Sequence, residues 1–378
     1  MTTIFAPIHA TYAHEYEKRL RVGLVGCGEQ SLRNILPALR FCPAKLVALA
    51  DINYGRARAL GNDLGVAHVF DSHVELAGSG EVDAVLLVTG YDAEGRALHA
   101  RQAADVVVAG CHVWAEKPPA SNVTEIADLA DCALKADLSV GFGFMKMFTP
   151  AMAQIERILR QESFGRVTSL ILRDPEELTE PASRANPARL KWLLDHVVHS
   201  ISVLIAAGGR IKRLAVERAD NGAAAILLRF ESGAVGTLVM SWGQSGLAPK
   251  ERLEIFGQGE NLALENTTRL TYYRAGAPGR GQPAYGRVAD MFSDFDEGPL
   301  HWDLQTYSGE PYNNHVFYQG YAPCLISFCQ AVLNRKPIVR GGLVDALHIM
   351  EVYEAILNSC DCTFVDVTPA KHETTPDE

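Results

Sequence analysis

The chain of 378 residues is predicted to be an α/β protein. A doubly wound parallel sheet comes first, and an α+β unit on a large, mostly antiparallel open sheet follows. Three observations predict this. Apolar strand-length runs alternate with helical periodicity across residues 21–145, the pattern of a parallel sheet covered on both faces. A glycine-rich turn closes the first of those strands. From residue 165 onward, strand patterns follow one another across glycine turns, as in an antiparallel sheet.

Composition bounds the function. A hydrophobic share of 48% and a charged share of 21% describe an ordinary globular protein. A net charge of -10 argues against nucleic acid and anionic membranes as partners. The 8 cysteines have no four-ligand zinc spacing, and Cys360 and Cys362 alone are weak metal ligands; no metal is expected. Reduced thiols, no signal-peptide pattern in residues 1–20 and no apolar run of membrane-spanning length predict a cytoplasmic protein.

The first strand runs into Gly26-Cys27-Gly28, and residues 31–40 read as a helix. Gly26 and Gly28 fit the first two positions of G-x-G-x-x-G, where bare backbone turns tightly and approaches a pyrophosphate; Ser31 takes the third. A second strand, 45–50, ends in Asp51, at the spacing of an acid that bonds the ribose hydroxyls of NAD. That carboxylate repels a 2′-phosphate, so NAD is expected over NADP, with Arg56 and Arg58 as the residues able to reverse the preference. Strands at 66–70, 84–89, 113–115 and 138–144 alternate with helices at 72–77, 97–110 and 122–136, the last capped by Ser121. The strand ending at Ala115 runs into Glu116-Lys117-Pro118-Pro119. Two prolines turn the chain away there and leave Lys117 at the carboxyl edge of the sheet, where open α/β sheets bind ligands.

With VGLVGCG, ALAD, VDAVLLVT, His99 ahead of AGCHVWAEKP, and Phe148-x-Pro150, the chain resembles the Gfo/Idh/MocA oxidoreductases, named for glucose–fructose oxidoreductase and inositol dehydrogenase, from about residue 21 to 357. The resemblance implies a Rossmann domain at 21–145 behind an extension at 1–20. It also implies a substrate and oligomerisation domain at 146–365 ahead of a polar tail at 366–378. It implies a cofactor site formed by Gly26, Gly28, Glu29, Gln30, Asp51, Thr89, His99, Glu116 and Lys117. Two departures lie near the expected substrate cavity: Gly90-Tyr91 where members commonly have Pro-Asn, and Lys146-Met147 where they usually place an arginine at the second position.

In the second half, strands are expected at 167–172, 214–217, 224–230, 234–242 and 252–257, and a helix at 190–207. On that helix Asp195 and His199 lie at i and i+4, on one face. The pair matches the family's DxxxH motif, which implies His199 as acid/base and Asp195 as the neighbour that orients it. Lys117 would hydrogen-bond the reacting oxygen. Lys146, Trp192, His196 and His315 are further candidates for the substrate, Trp192 by stacking on a ring or else as a core residue. Residues 272–312 read as a long loop, followed by helices at 318–334 and 343–360 and a polar tail.

These readings lead to a nicotinamide-dependent enzyme moving a hydride between cofactor and a secondary alcohol or ketone of a sugar, cyclitol or related polyol. It would act as a homodimer or homotetramer joined through the C-terminal sheet. An NAD-dependent glycosidase working by transient oxidation and a dinucleotide-sensing regulator are the alternatives. A regulator needs none of Lys117, Asp195 and His199.

Overall fold

The computed structural model describes residues 15–275, 298–303, 315–359 and 363–367. In the first half the order is β1 (Leu20–Val25), a π turn (Ser31–Ile35) continuing into α1 (Leu36–Leu39), β2 (Ala44–Ala50), α2 (Tyr54–Leu64), β3 (His68–Phe70), α3 (His73–Gly78) and β4 (Ala84–Leu87). Then come α4 (His99–Val108), β5 (His112–Ala115), α5 (Val123–Ala136) and β6 (Val140–Phe142). These strands form one sheet in the order β3-β2-β1-β4-β5-β6, with every pairing parallel. The order reverses between β1 and β4, and a ligand crevice opens there beyond the carboxyl ends of the strands. The glycine turn after β1, the segment after β4 and the Glu116-Lys117 corner after β5 therefore converge on one edge.

The predicted helix at 31–40 is divided into the π turn and the short α1. Asn122, not Ser121, caps α5: its side chain accepts from the Glu125 amide, while the Ser121 hydroxyl accepts from the Ala97 amide.

The second half begins with α6 (Pro150–Leu159) and continues through β7 (Ser169–Asp174), α7 (Pro187–Gly208), β8 (Ile211–Arg218), β9 (Ala224–Phe230), β10 (Val235–Met240), β11 (Arg252–Phe256), β12 (Asn261–Glu265), β13 (Arg269–Tyr273) and β14 (Leu300–Trp302). It closes with α8 (His315–Tyr318), α9 (Tyr321–Leu333), α10 (Leu343–Asn358) and β15 (Val365–Asp366). All nine strands join one sheet, antiparallel except for the parallel β7–β10 pair. The loop expected over 272–312 is interrupted by β13 and β14, whose pairing Tyr272 and Leu300 share. The rest of that loop, Cys360, Cys362 and the tail beyond residue 367 lie outside the described residues.

Burial alternates along these strands. Leu170 and Leu172 of β7 face the core under α7, while Ile171 on the opposite face is exposed together with Leu227 and Val235. Helix α7 is long and apolar enough to cross a bilayer by length and composition, against expectation. Most of it is instead buried in this core, through Leu193, Leu194, Val197, Val198 and Ile201. Helix α9 returns to the parallel sheet and packs Leu325 and Phe328 into the core that holds Val22 and Leu24.

Candidate active site

The glycine turn is shaped by two different demands. Gly26 has φ 93°, and a Cβ there would stand 2.2 Å from the Val88 carbonyl oxygen, so only glycine fits. At Gly28 a Cβ would meet nothing within 4 Å; the space is open, as close approach of a phosphate to backbone requires. The Ser31 hydroxyl, fully buried, donates to the Gly26 carbonyl and so ties the π turn to the loop. Asp51, at the end of β2, accepts from the Cys27 amide through Oδ2 and from the Asn53 amide through Oδ1, both at 2.8 Å. Arg56 stands 3.6 Å from the same carboxylate. Open backbone at Gly28 with an anchored acid one strand away fits a dinucleotide.

Gln30 sits deeper. Its amide donates to Glu116 Oε1 at 2.9 Å and to the Tyr321 hydroxyl at 3.1 Å, and accepts from Asn34 at 2.8 Å. Glu116 is buried, and burial raises its carboxyl pKa above the ordinary range despite the bonds from Gln30 and the Lys117 amide. Glu29 points to solvent near Arg33, and the Thr89 hydroxyl donates to Gln102.

The Lys117–Pro118 peptide is cis. The Pro118 carbonyl is met by Nδ1 of His99 at 2.8 Å. His99 is completely buried, and burial lowers its pKa to about 4, so it is a neutral donor there. With no exposed surface it braces the corner rather than touching a cofactor, which corrects the expectation for this residue.

From this corner the Lys117 ammonium reaches α7. Nζ donates to Asp195 Oδ2 at 2.8 Å and lies 3.4 Å from the Asp195 carbonyl. The other oxygen, Oδ1, accepts from the Tyr91 hydroxyl at 3.1 Å. Asp195 is thus committed to Lys117 and Tyr91 and does not orient His199, contrary to expectation. The i, i+4 spacing places both residues on one face, but the carboxylate turns toward the cation. His199, 8% exposed, has no hydrogen-bond partner at Nδ1 among the described residues. Its pKa is held well below the usual histidine value, by burial first and then by Lys146, Lys117, His196 and Lys250. It is a neutral imidazole, able to accept a proton.

Lys146 pairs with Glu251 in a nearly buried contact beside His199. Trp192 is no core residue but 62% exposed, with its indole N–H on Glu176 at 2.9 Å and its ring over His196. His315 is not brought to this group; its Nε2 lies 3.4 Å from the Arg33 carbonyl. Sequence reasoning singled out Tyr91 only as a departure from a pattern. It missed Glu176 and Glu251, which carry no motif and come from distant strand ends. Among the described residues no cluster of His, Cys, Asp and Glu has the arrangement to hold a metal.

A doubly wound sheet with a bare glycine turn, joined to a second sheet whose covering helix meets a lysine corner, is a Rossmann-type dinucleotide-binding architecture with a second sheet-bearing unit. Residues 20–144 match the oxidoreductase family with NAD-binding Rossmann fold, Gfo/Idh/MocA. The chain is 26% identical to an uncharacterized oxidoreductase, ORF334, of Rhizobium meliloti, over 65% of this chain and 75% of that one. It is 23% identical to myo-inositol 2-dehydrogenase of Thermotoga maritima, over 67% and 77%. Levoglucosan dehydrogenase, solved with NADH and levoglucosan, shares the fold at a TM-score of 0.73 and 18% identity, covering 93% of this chain and 100% of that one. Over residues 20–144 the chain is thus similar to the NAD-binding domain of the Gfo/Idh/MocA oxidoreductases.

Proposed function

We propose that the protein is an NAD(H)-dependent dehydrogenase or reductase for a secondary alcohol, or its ketone, in a sugar, cyclitol or related polyol. The observation that carries this reading is the Lys117 ammonium, held 2.8 Å from Asp195 at the carboxyl edge of the sheet, with neutral His199 one turn further along the same helix. The relatives support the substrate class, since they include dehydrogenases named for inositol and xylose.

The nicotinamide would supply or accept the hydride. Gly26 and Gly28 would receive the pyrophosphate, and Asp51 the adenosine ribose, a preference for NAD that Arg56 moderates at 3.6 Å. His199 takes the hydroxyl proton in oxidation and returns it in reduction. Lys117 donates to the reacting oxygen as it gains negative charge. Asp195 acts on Lys117, holding the ammonium in place with help from Tyr91. On this reading residues 21–145 bind the cofactor and 146–365 the substrate. The exposed apolar face around Ile171, Leu227 and Val235 joins two copies.

The test is Lys117→Met. NADH binding, followed by energy transfer from tryptophan to the reduced nicotinamide, should remain near wild type. Turnover of a polyol should fall by about two orders of magnitude or more. Near-normal turnover would remove Lys117 from the chemistry, and a stronger response to NADPH than to NADH would move the ribose site to Arg56.

A further inference from the structure

Helix α7 carries the candidate chemistry on one face, and that face continues outward beyond it. Trp192, His196 and His199 fall at i, i+4 and i+7, with Asp195 at i+3, so the helix gathers them into one stripe. Exposure rises along it, from 8% at His199 to 62% at Trp192. A single exposed apolar side chain ordinarily needs no explanation. Trp192 differs because its orientation is fixed. Its Nε1–H donates at 2.9 Å to Oε2 of Glu176, a buried carboxylate. One ring face lies against His196, with centroids 4.2 Å apart and planes at 36°. Nδ1 of His196 in turn sits 2.9 Å from the Trp192 carbonyl and 4.0 Å from the Glu176 carboxylate. A buried carboxylate is costly unless hydrogen-bonded, so Glu176 favours the rotamer that brings the indole N–H to it. The ring is locked from one side and open on the other, which makes it a preorganised platform.

We propose that Trp192 is a subsite for a second ring, and that the preferred substrate is a glycoside or disaccharide rather than a free monosaccharide. The proposal rests on the oxidoreductase reading of Lys117 and His199. At a rise of about 1.5 Å per residue, Trp192 stands roughly 10 Å further out along the helix than His199. A single pyranose held at His199 does not span that separation; two linked rings do. The C–H face of a sugar ring packs on an aromatic face, and its equatorial hydroxyls remain at the edge, in water or facing polar neighbours.

The experiment is saturation-transfer NMR on the full-length protein with NADH, using glucose, cellobiose, maltose and lactose as probes. The expected result is that at least one disaccharide binds about tenfold more tightly than glucose, with both rings receiving saturation. Trp192→Ala removes that advantage and leaves glucose binding unchanged, and Trp192→Phe keeps most of it. Equal binding of glucose and every disaccharide by the wild type, or an advantage that survives Trp192→Ala, overturns the subsite. Because the readout is binding, the two readings fail separately. A Trp192-dependent disaccharide advantage without any turnover supports the subsite and removes the dehydrogenase; turnover of free monosaccharides without that advantage does the reverse.

Discussion

His199 shows how much of this site's chemistry lies in what surrounds a residue. Burial disfavours its charged form, and the ammonium groups of Lys146 and Lys117 add to that, followed by His196 and Lys250. The acids nearby are engaged elsewhere: Asp195 with Lys117, Glu251 with Lys146, and Asp174 with the Ser200 hydroxyl. The base form therefore persists below the ordinary value of 6.5, and the acid limb of kcat/KM for alcohol oxidation should lie below it. Lys146→Met removes the largest positive neighbour and frees the Glu251 carboxylate, and both changes raise the His199 pKa. The acid limb should move to higher pH while the alkaline plateau changes less. A pH profile of kcat/KM measures this, and an unmoved limb would assign the limb to another group. Lys117 and His199 could be singled out in the sequence because each lies in a local motif. The true partner of Asp195 was not, since spacing names a helical face and says nothing of where a carboxylate turns.

Elements bring these residues together, and the segment after β4 is one of them. Tyr91 bridges to Ala97, Gly95 packs against Ala188 where α7 begins, and the Lys191 ammonium lies 4.6 Å from the centre of the Tyr91 ring. The parallel sheet is thereby fastened to α7 beside Asp195, and the Tyr91 hydroxyl is the last contact in that path. Tyr91→Phe keeps the ring and deletes one hydrogen bond to a charged group, a loss of about 1.5 kcal/mol or roughly tenfold. The loss should appear in kcat, with NADH affinity unchanged, because the bond holds Asp195 and through it Lys117. An equal fall in cofactor affinity would instead mean that the whole segment had come loose. The alternating strands and helices of this half were legible because periodicity is a local property. The π turn was not: it follows from Ser31 reaching back to the Gly26 carbonyl, a bond that depends on the finished turn.

At the scale of the molecule, the two sheets were legible as a change from alternation to successive strands. Strand β14 lies in a Gly-, Pro- and Tyr-rich stretch that propensity reads as loop, and sheet pairing overrides propensity there, while β12 and most of β13 precede that stretch and were not read as strands. Packing also buries histidines, with a consequence for stability. His99 is neutral in the folded protein, its pKa lowered to about 4 by burial, whereas in the unfolded chain it returns to 6.5. Below 6.5 the unfolded state binds the extra proton, so this contribution is fully present above that pH and is lost as pH falls toward 4. For His99 alone the loss across the window is about 3 kcal/mol, and His199 acts in the same direction. Glu116 works oppositely, since a carboxyl whose pKa is raised by burial gains stability as pH falls. The slope of the wild type mixes these effects, so the informative quantity is the difference from a variant. His99→Gln keeps a donor for the Pro118 carbonyl and removes the titration. Urea unfolding across this window should show the variant losing less stability than the wild type as pH falls, by about 3 kcal/mol in all. Parallel curves would mean that His99 takes up its proton in the folded protein as it does in the unfolded chain, and that burial does not hold it neutral.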